Sequence, residues 1–244
     1  QEGGIPLIQI LDKTLTPMGS RQIKKWMVLP VKDQAVIEER LQIVEAFHHN
    51  NDLTESLKSS LKSMGDVERL ISKVAVGRVN PRELNQLKKA LGLMAPLKKG
   101  LDESGEAALK KLSNQINLCE YLYQLIDEQL MEDAPLLTNQ GNLIKEGVDH
   151  DLDELKKIAF SGKDYLLQLQ KREMEKTGIT SLKVAYNKVF GYYLEVTNSH
   201  KDKVPKEWIR KQTLVNAERY ITEELKEYEE KILGAEDKMV VIEQ

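Results

Sequence analysis

Residues 148–169 read VDHDLDELKKIAFSGKDYLLQL, and residues 221–242 read ITEELKEYEEKILGAEDKMVVI. In the first stretch apolar or small residues fall at Val148, Leu152, Leu155, Ala159, Gly162, Leu166 and Leu169. In the second they fall at Ile221, Leu225, Tyr228, Ile232, Ala235, Met239 and Ile242. Both step 4, 3, 4, 3, 4, 3, which is the seam of a coiled-coil helix. Small residues at Ala159 and Gly162 suit close packing within one chain better than an independent zipper. The two helices are therefore expected to pair antiparallel, with the intervening residues at the tip of a rod. About 22 seam residues at ~1.5 Å each give a rod of roughly 33 Å.

Charge segregates with the insert. The chain carries a net charge of −3 over 244 residues, yet residues 163–222 hold 12 Lys+Arg against 7 Asp+Glu. That local excess of +5 sits on an otherwise acidic body of −8. A local basic excess is a better footprint of a polyanion partner than the total. The same residues hold 7 of the 13 aromatics: Tyr165, Tyr186, Phe190, Tyr192, Tyr193, Trp208 and Tyr220. A unit of this size needs large side chains to bury enough area, so these read first as core.

The single cysteine, Cys119, rules out an intrachain disulfide and is compatible with a reducing compartment. No apolar run approaches the ~18–20 residues that span a bilayer, so no membrane partner is expected. The opening Gln1-Glu2-Gly3-Gly4 lacks the features of a signal peptide. A soluble, cytoplasmic chain is the expectation.

The first 130 residues read as successive short helices. Thr16-Pro17 opens one that points Ile23, Trp26 and Met27 inward and stops near Pro30. Asp33 opens another, with Val36, Ile37, Leu41, Val44 and Phe47 on its apolar stripe. Asp66 caps a third, burying Val67, Leu70, Ile71 and Val74 before Gly77. Asn80-Pro81-Arg82-Glu83 is a capping box, followed by Leu84, Leu87, Leu91 and Met94 before Pro96. Two further helices are expected over roughly 105–116 and 119–131, then a turn or small hairpin over 134–148. The first seam helix runs over about 149–176 and ends at Thr177-Gly178.

Beyond it the period becomes two. Leu182, Val184 and Tyr186, then Tyr192, Leu194 and Val196, alternate with polar neighbours around an Asn187–Gly191 turn, which predicts a hairpin. Lys201–Lys211 reads as a polar connection, Thr213–Tyr220 as a further strand, and Thr222 as the cap of the returning helix. The fold class expected is mainly α with a small β-rich insert: a helical bundle plus an antiparallel long-helix pair carrying a β subdomain at its tip.

Lys183, Lys188, Arg210, Lys211 and Arg219, with the amides Asn187, Asn216 and Gln212, lie on the insert's sheet and loops. Such groups bind phosphate oxygens. Two readings stay open from the residues alone: a surface for a nucleic-acid backbone, or a solvated, slightly basic subdomain. His48-His49 do not converge on a helix, and His150 and His200 read as isolated and solvent-facing. Asp127, Glu128, Glu132 and Asp133 read as a solvated helix face rather than a metal cluster. No G-x-x-x-x-G-K-[S/T] loop and no catalytic Ser/His/Asp or Cys/His set occurs, so neither catalysis nor a metal or cofactor is expected within these residues.

Specific stretches resemble a known family. Leu182-Lys183-Val184-Ala185-Tyr186-Asn187, Phe190-Gly191-Tyr192-Tyr193 and Arg210-Lys211-Gln212-Thr213-Leu214-Val215-Asn216-Ala217-Glu218-Arg219-Tyr220 resemble the clamp segment of bacterial MutS mismatch-repair proteins. Leu11-Asp12 with Thr16-Pro17-Met18-Gly19-Ser20-Arg21 resembles the start of the core in that family, and 225–236 the return helix. The resemblance implies core and outgoing lever over 1–162, an inserted clamp over 163–222 and a returning lever over 223–244. It implies duplex DNA as partner, a homodimer for the full-length protein, and MutL as a possible further partner. It makes Lys183, Asn187, Lys188, Arg210, Lys211, Asn216 and Arg219 candidate DNA-backbone contacts. ATP and Mg²⁺ belong to a family domain expected to lie outside this chain, which reads as a fragment. The alternative is an interaction or scaffold module that docks a repair partner.

Overall fold

The computed structural model describes residues 4–243; Gln1-Glu2-Gly3, at the expected leaderless start, and Gln244 lie outside the described residues. The chain divides into two compact units, Gln1–Leu137 and Thr138–Gln244. Within the second unit both seam helices share one core with the sheet.

The first unit is helical: α1 (Leu7–Leu11), α2 (Pro17–Val28), α3 (Gln34–His49), α4 (Asn51–Met64), α5 (Val67–Ala75), α6 (Pro81–Gly92), α7 (Met94–Asp102), α8 (Ala107–Ser113) and α9 (Glu120–Gln129). Caps set the starts. Thr16 accepts from Gly19 N–H, Asp33 from Ala35 and Val36, Asp66 from Arg69, and Asn80 with Glu83 closes the capping box. The sequence reading missed α4. Its signals were present: Asn50 caps by accepting from Leu53 N–H, and Leu53, Leu57, Leu61 and Met64 recur at helical spacing. Pro96 does not stop a helix. It occupies the first turn of α7, where its missing N–H costs nothing.

The inward faces of α2 and α3 also differ from expectation. Trp26, Met27, Ile37, Leu41 and Val44 are exposed, while Ala46 is buried with Ile43 and Phe47 beside it. The face of α3 that meets α8 carries these three residues, and the neighbouring Ile37–Leu41–Val44 stripe is left in solvent. Arg40 lies over the exposed Trp26, its guanidinium 4.0 Å from the ring centroid. Ile71 and Val74 are likewise exposed, and Leu70 alone of that set is buried.

The second unit opens with a 3₁₀ turn at Thr138–Gln140, and no strand hairpin forms over 134–148. α10 (His150–Thr177) follows, capped by Asp149 and ended by Gly178 in the left-handed region at φ 67°. α11 (Glu223–Glu243) returns, its first turn held by Thr222, which accepts from Leu225 N–H. Gly162 faces Ile232, Tyr165 stacks on Tyr228 at 3.7 Å, and Lys163 pairs with Glu236. The two helices are therefore antiparallel. Leu152, Ala159, Gly162, Leu166 and Leu169 are buried along one seam, and Leu225, Ile232 and Ala235 along the other. The seam fails at its ends: Val148 and Ile242 are exposed, and Ile221 belongs to a strand. A straight helix drifts about 20° per heptad, so a strict 3.5-residue pattern leaves the contact within a few turns.

Between the helices lie β1 (Lys183–Asn187), β2 (Gly191–Thr197), β3 (Ile209–Thr213) and β4 (Ala217–Ile221), all antiparallel neighbours in the order β1-β2-β4-β3. The single strand expected over 213–220 is instead the β3–β4 hairpin, turning at Leu214-Val215-Asn216. A bulge at Lys211 interrupts the period-two pattern that would have revealed β3. Trp208 is core, tilted against Tyr220 with ring centroids 6.0 Å apart, rather than part of a polar connection.

The sheet does not simply project beyond the rod. Leu194, Val196, Tyr220 and Trp208 bury with Leu166, Leu169, Leu225 and Ile232 in one core, so the sheet lies along the flank of the helix pair. Its inner face is too apolar to stand in water, and these helix residues cover it. Side-chain hydrogen bonds fix the join. Glu229 accepts from Tyr192 N–H at 2.7 Å, and Gln170 accepts from Val184 N–H at 2.9 Å on the β1 edge.

Candidate nucleic-acid interface

Strand alternation assigns the faces. With Leu194 and Val196 inward, Tyr193, Glu195 and Thr197 of β2 face outward. The register places Lys183, Ala185 and Asn187 of β1 beside them, and Ala217 and Arg219 of β4 on the other side. Gln212 of β3 pairs with Arg219 and joins this outer face.

The seven candidates separate into distinct roles. Arg219 is pinned: its guanidinium lies 4.3 Å from the Tyr193 ring centroid and donates to Glu195 at 3.0 Å and to Gln212 at 2.8 Å. Arg210 pairs in register with Tyr220, on the inner side of the sheet, and donates to Glu218 at 3.2 Å. The Tyr220 hydroxyl donates to the same carboxylate. This bond, reinforced by the Arg210 charge, holds Glu218 below the usual carboxylate range. Burial, with Glu218 alongside, pushes the Tyr220 phenol up to about 12. Asn187 braces its own turn by accepting from Val189 N–H at 2.8 Å. Asn216 is exposed in the β3–β4 turn, and its backbone carbonyl accepts from Asn198 N–H.

Lys183, Lys188 and Lys211 remain. Each is exposed, and none forms an ion pair among the described residues. Lys183 stands on the outer face, Lys211 at the bulge of the β3 edge, and Lys188 on the β1–β2 turn. That turn reaches back along α11, where Lys226 contacts the Phe190 carbonyl.

The same division runs through residues 163–222. Glu173, Glu195, Glu207 and Glu218 pair with Arg172, Arg219, Lys176 and Arg210. Lys163 pairs with Glu236, which lifts its pKa above the usual lysine range. Lys171, Lys183, Lys188, Lys201, Lys203, Lys206 and Lys211 are left without an ion pair among the described residues, against Asp164, Glu175 and Asp202. Every arginine of this segment is thus occupied internally, and the surplus positive charge is carried by lysines. Sequence reasoning did not single out Lys171, Lys201, Lys203 or Lys206. Their signal was present in the charge count but had no position to attach to.

Elsewhere, Asp127 does not belong to a bare acidic face. It pairs at 2.9 Å with Lys88, whose side chain is buried. The His48 and His49 rings lie 5.9 Å apart and tilted by 45°. Among the described residues no group of three or more His, Cys, Asp or Glu converges, and no glycine-rich phosphate loop occurs. Among the described residues no helix is long and apolar enough to cross a membrane.

Comparison with known proteins agrees with the motifs. The family model for MutS domain III matches residues 1–237. The DNA mismatch repair protein MutS of Cytophaga hutchinsonii is 62% identical over 241 residues, covering 99% of this chain and 28% of the relative. The proteins of the same name from Bacteroides fragilis and Flavobacterium psychrophilum are 57% and 50% identical, over 99% and 98% of this chain and 28% of each relative. The chain thus spans little more than a quarter of the length of these curated relatives. A family-model match over nearly every residue, with relatives 50–62% identical along the chain, establishes that the chain belongs to the MutS domain III family.

Proposed function

We propose that the four-stranded sheet acts as a clamp that holds the sugar–phosphate backbone of duplex DNA without reading its sequence, as part of mismatch repair. The observation that carries this reading is the division of cations: arginines locked into internal pairs, lysines left in solvent. Lysine offers a mobile point charge suited to phosphate, and the face lacks the free bidentate arginines that read guanine. The names of the relatives, each a DNA mismatch repair protein, support the same reading.

The α10/α11 pair serves as the lever. One core joins it to the sheet, and the Glu229–Tyr192 and Gln170–Val184 bonds tie strand backbone to helix side chains. A shift of either helix therefore displaces the lysines. In the full-length protein the state of the lever is set by ATP and Mg²⁺ at a site outside these residues, and a homodimer supplies two clamps. Tethering a pair raises effective concentration, so the isolated chain binds weakly.

The test is a titration of labelled duplex at several salt concentrations. Replacing Lys183, Lys188 and Lys211 with Glu reduces affinity and flattens the log–log salt dependence by about 0.9 for each phosphate no longer neutralised. Matched and mismatched duplexes bind alike. Salt-independent binding, or retention unchanged by the three replacements, overturns this reading in favour of a surface that docks a repair partner such as MutL.

A further inference from the structure

His200 is not the isolated, solvent-facing residue its sequence context suggests. It is half-buried, and its Nδ1 lies 3.2 Å from Ser199 Oγ, 3.3 Å from Ser181 Oγ and 3.4 Å from Thr197 Oγ1. The hydroxyls also contact one another, Ser181 to Thr197 at 2.8 Å and Thr197 to Ser199 at 3.0 Å. Thr197 continues the outward-facing row of β2 after Tyr193 and Glu195, and Ser181 precedes Lys183 on the matching row of β1. The cluster therefore extends the outer face that carries Lys183. Lys201 and Lys203 follow it on the exposed turn.

We propose that this cluster is a phosphate-binding subsite that opens when His200 is protonated. The proposal rests on the DNA reading above and adds a site and a condition to it. Counting protons shows why. Three hydroxyls supply three O–H protons. With a neutral imidazole whose Nδ1 accepts, two of these serve the inter-hydroxyl bonds and the third goes to Nδ1, so the cluster is closed on itself. Protonation turns Nδ1 into a donor. It then occupies a hydroxyl lone pair, while only two inter-hydroxyl contacts remain for three O–H protons. One hydroxyl proton is left over and turns outward, and Ser199 is the exposed member positioned to present it. The ring adds a positive charge, and its Nε2–H, present in both states, becomes a charge-assisted donor. A hydroxyl, an imidazolium and nearby lysines form a donor set for an oxyanion of the phosphodiester class, and such charge-assisted bonds are the strong ones.

Charged groups on the surrounding elements are compatible with an incoming anion. On the turn itself stand Lys201, Asp202 and Lys203, the last donating to the Gly178 carbonyl at 3.3 Å. Lys183 lies on β1 and Lys176 at the end of α10. Glu195 of β2 is paired with Arg219, and Glu218 of β4 with Arg210. The carboxylates of residues 163–222 without an ion pair among the described residues are Asp202 on the turn itself, Glu175 beside Lys176 on α10, and Asp164 farther along α10.

The experiment measures duplex affinity and its salt dependence at pH 8 and pH 5.5 for the whole chain, for His200→Gln and Ser199→Ala, and for His150→Gln as a control. The expected result for the unaltered chain and for His150→Gln is about tenfold tighter binding at pH 5.5, the low end for one charge-assisted bond. The log–log salt slope steepens by about 0.9, the value for one further phosphate neutralised. His200→Gln abolishes both changes, whatever its affinity at pH 8, and Ser199→Ala reduces the gain. A pH gain that survives in His200→Gln, or DNA binding that is the same at both pH values, overturns the subsite and leaves the DNA reading standing. If no duplex binds at either pH, the DNA reading fails, and a second arm decides the subsite. Sulfate, whose charge is constant over this range, is titrated while following the His200 ring by NMR. Sulfate raises the His200 titration midpoint if the subsite exists, and an unmoved midpoint overturns it.

Discussion

A Cβ placed on Gly162 would lie 2.5 Å from Ile232 Cγ1, so the contact of Ile232 with α10 at this point exists only because residue 162 has no side chain. Ile232 is fully buried and belongs to the core shared with the sheet. Gly162→Ala gains about 1 kcal/mol of helix propensity but overpacks this contact, at about 1–3 kcal/mol. The expected net outcome is destabilisation in urea unfolding. Ile232→Ala alone costs about 2–5 kcal/mol by leaving a cavity. The double variant is expected to lose less than the sum, because the added methyl fills part of the hole.

Glu229 holds the start of β2 to α11. Its carboxylate accepts from Tyr192 N–H, pairs with Lys226 at 2.9 Å and occupies the space a side chain at Gly191 would need. Glu229→Ala leaves a partly buried N–H without its acceptor, at about 1–3 kcal/mol. Amide exchange at Tyr192 should accelerate more than exchange in the α10 seam. Gly191→Ala should produce the same local opening, since φ 75° is itself unfavourable for alanine. Equal acceleration throughout the second unit would instead mean that Glu229 contributes only to global stability.

The Tyr220 phenol, with a folded pKa near 12, gives the stability a defined alkaline limb. Its unfolded value is about 10. A group that must stay protonated in the fold contributes stability that is whole below pH 10 and is lost as pH rises toward 12. On the acid side the sign reverses. Glu218 and Glu224 are depressed, the first by Tyr220 and Arg210, the second by Arg172 and Tyr165. Their contribution is present above the ordinary carboxylate range and is lost as pH falls through their lowered values. Tyr220→Phe should remove the latest-titrating phenol from an ultraviolet alkaline titration and weaken the acid limb through Glu218.

Asn80 closes the capping box of α6, its side chain accepting from Glu83 N–H at 2.9 Å while Glu83 accepts in return from Asn80 N–H at 3.2 Å. Asn80→Ala is expected to cost about 1 kcal/mol, read as a lowered urea midpoint. Asn80→Asp, which retains the accepting oxygen, should restore most of it. No rescue would show that the cap is not what the substitution removed.

Removing Arg219 separates structure from binding. Its guanidinium lies over Tyr193 and satisfies Glu195 and Gln212. Arg219→Ala should therefore lower stability measurably, while Lys183→Ala should leave stability within about 0.5 kcal/mol, as exposed substitutions do. A duplex-binding defect in Arg219→Ala that vanishes when folding is restored at lower temperature fits this assignment. A defect that persists in the fully folded variant would make Arg219 a direct contact.

Much of this fold was legible in order. The helix N-caps with the one capping box at Asn80–Glu83, Gly178 at the end of α10 and the hairpin turn at 187–191 are local signals, set by residues within one turn of each other. The seam positions from Leu152 to Leu169 were legible because burial repeats with the helix itself. What the chain alone did not display was the partner of each face. On α3, one stripe and its neighbour are both apolar, and only packing against α8 selected Ile43, Ala46 and Phe47. β3 was hidden because an edge strand carries polar residues and this one bulges at Lys211.

The basic character of residues 163–222 was determined by sequence, since charge counts need no coordinates, and so was the family, since long motifs in order are specific. The tertiary structure decided which charges remain available. Pairing depends on which acid lies within about 4 Å, a distance set by register: Glu195 opposite Arg219, Glu218 one strand from Arg210. It likewise gathered Ser181, Thr197, Ser199 and His200, which the sequence spreads over 20 residues, around one imidazole nitrogen. Composition is a property of the chain, but neutralisation and convergence are properties of distance, and strand pairing creates those distances.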